Sequence, residues 1–254
     1  MKPRVCVLRT DGTNCDDEAA YAFGKAGGEP QLVHVNELRC GEESLRQYQV
    51  LVLPGGFSYG DDVASGKILA VELVSQLRDE VQQFIDREGL VIGICNGFQT
   101  LVRAGLLPFR HLGDMQVTLT TNDSGRFECR WISMVAEQPS QCVFTHGIEA
   151  IELPVAHGEG KFFAQAMDLE LMEADGLVAL RYAEHGKATM QYPANPNGSL
   201  NSIAGVCDRT GRIFGLMPHP ERFVERHQHP NWRRMKVVRP HGLAIFANAI
   251  KYLQ

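Results

Sequence analysis

Residues 89–100 read GLVIGICNGFQT, Gly89 to Thr100. Leu90–Ile94 is an apolar run of strand length, and Phe98–Arg103 reads as the start of a helix. Cys95 falls on the join, between Gly93 and Gly97. A G-x-C-x-G spacing is the thiol form of a nucleophile elbow, where a strand turns sharply into a helix. Glycines two residues to either side leave room for strained backbone at the central position. The side chain then stands above the carboxyl edge of the sheet, where open α/β sheets bind ligands. The next helix offers unpaired N–H groups and a positive dipole end, and both favour thiolate over thiol. The plainer alternative is a small buried cysteine with glycines that ease packing. The strand–turn–helix context favours the nucleophile.

Working outward, Arg4–Leu8, Gln31–Val35 and Gln49–Leu53 read as further short strands. TNCDDEAAYAFGKAGG reads as a helix between the first two, with Asn14 or Asp16 as its cap and Gly27–Gly28 as its stop. Between Ser58 and Gly89, apolar residues at Leu69, Leu73, Leu77, Val81, Phe84 and Ile85 predict one long helix. Strands alternating with helices indicate crossover units and a mostly parallel sheet. The middle differs: MQVTLTTNDSGRFECRWISMVA alternates like antiparallel strands. Ala150–Val155, Leu177–Tyr182, Ser202–Cys207 and Arg212–Met217 add strand-like pieces. Tyr192–Ser199 is a turn-rich loop, and Gly242–Leu253 is a closing helix. No internal repeat, linker or composition shift divides the chain, so residues 1–254 are expected to form a single domain.

The chain has 254 residues, 44% hydrophobic and 22% charged, which is ordinary for a globular protein. Its formal charge of -5 argues against nucleic acid as a partner, because phosphate binding needs a basic face. No apolar stretch approaches the ~18 residues that cross a bilayer. The run Val5–Leu8 is too short for a signal peptide, and a cytoplasmic location is expected. Seven cysteines without a C-x-x-C pair read as reduced thiols, mostly small core residues. Structural zinc is not expected without paired ligand spacing.

IFGLMPHPERF, Ile213–Phe223, supplies a base. A strand-like run ends at Pro218, and two prolines restrict the loop that carries His219 and Glu221. His219 can take a thiol proton and deliver one to a leaving amine, while Glu221 fixes the imidazole tautomer. A metal site on His219-x-Glu221 lacks a third ligand at usable spacing. His227, His229 and His241 lie in a polar stretch and are expected to be solvated. LPGGFSYGDD also follows a strand. Gly55 and Gly56 can approach a substrate closely. Free N–H groups at Gly55, Gly56 and Phe57, with that of Asn96, can form an oxyanion site. A plain turn in which Asp61, Asp62 or Ser65 caps the next helix is compatible with this. The polar stretch Asn122–Arg130 offers Arg126, Glu128 and Arg130 as partners for a charged ligand, or is an ordinary solvated strand edge.

Cys95 in GICNGFQ, the PGGFSYGD turn and MPHPE together resemble the class I glutamine amidotransferases. That family has a cysteine nucleophile in G-x-C-x-G-x-Q and a histidine–glutamate pair in H-x-E, and Gln99 fills the last position of the first motif. TDGTNCDDE, NDSGRFECRW, HGEGKF and GLMPHPERF are similar to the branch that serves purine biosynthesis. The likeness runs from residue 10 to residue 223. Thr10-Asp11-Gly12 departs from that branch, where a smaller or proline-bearing variant is expected, without touching a catalytic position.

The resemblance implies an open, mostly parallel, flavodoxin-like sheet with helices on both faces and an antiparallel extension. It implies L-glutamine as substrate and a glutamyl thioester on Cys95. Ammonia would pass to a synthetase subunit that aminates formylglycinamide ribonucleotide, with a small bridging subunit alongside. ATP and Mg²⁺ belong to that partner, and no cofactor or metal is expected in this chain. HGEGKF is no nucleotide loop, since Gly158-Glu159-Gly160-Lys161 lacks the earlier glycine and the following Ser/Thr. His157 and Glu159 would meet the partner or the glutamine pocket. An amidotransferase for another acceptor stays open. So does a stand-alone cysteine amidohydrolase or peptidase, although Asn96 stands where a peptidase of this architecture has its histidine. A non-catalytic regulatory subunit is disfavoured by the intact Cys95, His219 and Glu221.

Overall fold

The computed structural model describes residues 2–138, 140–234, 236 and 239–254. The first half is a run of crossover units: β1 (Arg4–Arg9), α1 (Asp16–Lys25), β2 (Glu29–His34), α2 (Val35–Cys40) and β3 (Val50–Leu53). It continues through α3 (Lys67–Ser75), α4 (Arg78–Asp86), β4 (Leu90–Ile94) and α5 (Asn96–Arg103). The second half is mostly strands: β5 (Val117–Thr120), β6 (Glu128–Ala136), β7 (Ala150–His157) and β8 (Lys161–Ala164). After α6 (Ala166–Ala174) come β9 (Val178–Glu184), β10 (Lys187–Ala188), β11 (Ile203–Cys207), β12 (Ile213–Leu216) and the closing α7 (His241–Tyr252).

One sheet takes the order β2-β1-β3-β4-β12-β11-β9-β6-β7, with β10 beside β9. The first five strands are parallel, and β12 to β7 continue antiparallel. The antiparallel extension expected from the middle of the chain is therefore joined to the parallel part through β12. β5 and β8 pair separately. Helices α1 and α7 pack on one another, and α3 packs with α4 and α5.

Burial follows the pattern of the residues. β3, β4, β11 and β12 are buried at every position, as continuous apolar runs in a covered sheet must be. β7, at the far edge, alternates buried with half-buried positions, the mark of a strand covered on one face.

Three local expectations change. The long helix between Ser58 and Gly89 is two helices, α3 and α4. The N–H groups of Gln76 and Leu77 both reach Glu72 O, at 2.8 and 3.0 Å, and end α3. Leu77 is 3% exposed, so the core face continues across the break and keeps its apolar spacing. Residues 58–66 are not α-helical: Ser58–Asp61 make only a distorted 3-10 turn, and Tyr59, Gly60, Asp61 and Gly66 have positive φ. Neither Asn14 nor Asp16 caps α1: the cap position is Cys15, without a side-chain hydrogen bond, and Asp16 instead pairs with Arg9 at 3.3 Å. His229 is not solvated. It is 4% exposed, lies edge-on to Trp131, and has Nε2 3.4 Å from Glu152. His241 is half-buried and accepts the N–H of Glu152 at 3.0 Å.

Gly97 sets the approach of α5 to β3. A Cβ there would lie 1.8 Å from Leu53 O and 2.8 Å from Leu53 Cβ. Backbone cannot yield as a flexible side chain can, so Gly97→Ala must push the elbow helix off the sheet. We expect a loss of about 3 kcal/mol, read as a melting temperature roughly 6–12 °C lower. An unchanged melting temperature would show that this contact does not fix the helix.

Candidate active site

Cys95 leaves β4 with φ 51° and ψ -104°, a strained conformation for a residue with a Cβ. Its N–H donates to Leu216 O of β12 at 2.8 Å, so the neighbouring strand pins the turn. The side chain is 6% exposed, and its sulfur lies 3.7 Å from Ala156 O of β7.

β12 runs parallel to β4, with Leu216 opposite Ile94. The chain leaving it therefore reaches the same sheet edge and delivers His219 beside Cys95. The His219 N–H donates to Pro154 O at 2.9 Å, which ties this loop to β7. His219 Nδ1 lies 2.6 Å from Glu221 Oε1, and each residue is 1% exposed. Nε2 makes no hydrogen bond among the described residues. Burial pushes the His219 imidazolium down, but the Glu221 carboxylate and then negative charge at Cys95 overcome this and hold it well above the usual histidine range.

Cys95, His219, Gln99, His157 and Arg222 line a cavity of about 180 Å³ that also reaches Asn14, Gly56 and Phe57. The oxyanion expectation needs correction here. The Phe57 N–H is taken up by Gly12 O at 2.9 Å, so Phe57 lines the cavity by its side chain only. Gly55 does not line the cavity: a Cβ on it would meet His219 Cε1 at 2.9 Å, so its lack of a side chain leaves room for the imidazole. The donors left for an oxyanion are Gly56, at φ +138°, and Asn96 at the first turn of α5.

The side chains of Asn96 and Gln99 brace the walls. Asn96 Oδ1 accepts from Ser58 at 2.6 Å, and its Nδ2 donates to Asp61 at 2.9 Å. Gln99 Nε2 donates to Glu159 O at 2.5 Å. Glu128 and Arg130 do not reach the cavity. Glu128 is buried, accepts from Ser124 at 2.6 Å and pairs with Arg130, while Arg130 stacks on Tyr192 at 4.8 Å. Of that stretch Phe127 alone lines the cavity, and Arg126 does not.

Two residues at the site escaped the sequence reading. Arg222 lines the cavity and donates to Cys15 Sγ at 3.1 Å. Arg222 directly follows the H-x-E pair, which was the signal available. Cys15, grouped with the core cysteines, is buried against His219, and only the fold brings residues 15 and 219 together. It supplies the third ligand that His219-x-Glu221 lacked: its sulfur and the donor atoms of His219 and Glu221 all lie within 4.8 Å of one another. The Arg222 cation on that sulfur opposes a metal ion there.

Elbow thiol and buried imidazole–carboxylate pair are the groups that a cysteine-dependent acyl-transfer enzyme uses. The family model for the CobB/CobQ-like glutamine amidotransferase domain matches residues 2–253. The phosphoribosylformylglycinamidine synthase subunit PurQ of Dehalococcoides mccartyi is 47% identical over 252 residues, 99% of this chain and 98% of that protein. The same subunit of Methanococcus maripaludis is 40% identical over 265 residues, 98% and 97% of the two chains. The structure of PurLQS from Thermotoga maritima matches with a TM-score of 0.77 at 34% identity over the full length of both chains. The glutaminase domain of Trypanosoma brucei CTPS with bound acivicin, at 13% identity, 98% of this chain, 94% of that chain and a TM-score of 0.56, shares the fold. The chain belongs to the PurQ family of glutamine amidotransferases.

Proposed function

We propose that this chain hydrolyses L-glutamine on Cys95 and supplies the ammonia to a synthetase subunit, which uses ATP and Mg²⁺ to convert formylglycinamide ribonucleotide to formylglycinamidine ribonucleotide. The observation that carries it is the delivery of Cys95 and the His219–Glu221 pair, by adjacent parallel strands, to one cavity. The thiolate attacks the side-chain carboxamide. Gly56 and Asn96 N–H groups receive the oxyanion. His219 protonates the departing ammonia, then activates the water that releases glutamate from the thioester. The likeness to PurLQS from Thermotoga maritima supports a role within a complex, whose other members we take to be a synthetase and a small bridging subunit. The continuous core cluster and ten-stranded sheet support one amidotransferase unit over residues 1–254. No helix among the described residues is long and apolar enough to cross a membrane, which accords with a cytoplasmic setting.

Glutaminase assays with and without the synthetase test this reading. The Gly12–Phe57 hydrogen bond and the Thr13–Gly56 bridge tether the oxyanion turn to the first loop. Docking that re-aims the Gly56 N–H raises the rate about tenfold for each ~1.4 kcal/mol of barrier removed. We expect slow hydrolysis by the chain alone and at least tenfold activation by the partner. Equal rates in both assays would refute the activation, and no hydrolysis in either would refute the glutaminase assignment.

A further inference from the structure

His157 closes β7 and is 3% exposed, yet it lines the cavity beside Cys95 and His219. Its ring is held by Asn122. The Asn122 Nδ2 donates to the carbonyls of Arg126 and His157, each at 2.8 Å. That leaves Oδ1 facing the ring, where it accepts the Gly160 N–H at 3.0 Å and lies 3.1 Å from His157 Nδ1. An amide oxygen is only an acceptor, so Nδ1 carries the proton and Nε2 keeps a bare lone pair. Nε2 has no hydrogen-bond partner among the described residues. Burial, and then the His219 charge, pull the His157 pKa down to about 3, so the lone pair persists at any working pH.

A buried acceptor without a donor is costly, and a ligand that brings one removes the cost. His157 and the reacting thiol line the same cavity, and the carbonyl of the residue before His157, Ala156, is 3.7 Å from the Cys95 sulfur. We propose that His157 Nε2 accepts a hydrogen bond from the carboxamide N–H of glutamine and turns the leaving nitrogen toward His219. This rests on the glutaminase reading above. No proton is transferred to His157, and no bond is made or broken there. The contact also selects amide over product. The carboxylate of glutamate offers only lone pairs to that nitrogen, so His157 favours substrate entry and product departure.

The test compares L-glutamine with the γ-methyl ester of L-glutamate, which keeps the ammonium and carboxylate but lacks the amide N–H. Parent, His157→Leu and His157→Gln chains are assayed in complex with the synthetase. Loss of the acceptor should lower kcat/KM on glutamine roughly 10- to 100-fold and leave the ester nearly unchanged. His157→Gln, whose side-chain oxygen reaches the Nε2 position, should recover part of the glutamine rate. Co-elution of each chain with the synthetase on a sizing column reports assembly, and ammonia-dependent synthesis reports an intact synthetase. Equal losses on both substrates, or no loss on either, would overturn the proposal. A parent complex inactive on both substrates would overturn the glutaminase reading itself, and this proposal with it.

Discussion

Cys95→Ala should remove glutamine-dependent synthesis while ammonium salts should still support product formation by the assembled complex. The elbow fixes a single thiol at the carboxyl edge of β4, while the other thiol nearby, Cys15, sits outside the elbow sequence and takes a hydrogen bond from Arg222. Alanine keeps the Cβ and the strained backbone, so the fold and the docking face stay as they are. What is lost is the covalent step, and with it the rate falls to background, on the order of 10⁴-fold or more by analogy with other nucleophile deletions. Ammonia needs no thiol, because amination occurs in the other subunit. A glutamine analogue with an electrophilic terminus should label the parent chain once, at Cys95. Label on Cys15, or a variant complex that is intact but inactive with ammonium, would sink the assignment.

His219→Asn should cost nearly as much, roughly 10³–10⁴-fold in glutamine hydrolysis. Asparagine is chosen because its amide can still donate to Glu221. His219→Ala would leave a carboxylate that is 1% exposed without its partner and confuse lost chemistry with lost stability. Glu221→Gln should cost less, since it orients and charges the base without replacing it. It should also move the pH profile. The Glu221 carboxylate holds the His219 imidazolium above the usual range, so its loss lowers that pKa. The acid form that protonates ammonia then disappears at lower pH, and the alkaline limb of kcat shifts downward. A profile that does not move, or activity equal to the parent in either variant, would refute the base–orienter pairing.

The motifs of the candidate site were legible because each is local. Gly93, Cys95 and Gly97 mark the elbow, and His219-x-Glu221 is a two-residue spacing at a strand end. The central strands were legible because burial on both faces forces unbroken apolar runs. The α3–α4 break was not, because Leu77 keeps the apolar rhythm while the backbone hydrogen bonds shift to Glu72. The burial of His229 depends on Trp131, a residue distant in sequence. Cys15 and Arg222 likewise meet across 207 positions. The free N–H groups of an oxyanion turn cannot be read from glycines alone: Phe57 had one in the sequence, and Gly12 takes it in the fold.

The pairing of Leu216 with Ile94 has a bearing on how such a protein can change over generations. Nucleophile and base hang from two hydrogen-bonded strands, so their separation is inherited from the sheet and owes little to the loops above it. Surface that carries none of the cavity's donors or braces is then free to drift, lengthen or acquire new partners while the reaction continues beneath it. One ammonia-releasing device can in this way be fitted to many acceptor enzymes, with selection acting on the rim and sparing the machinery.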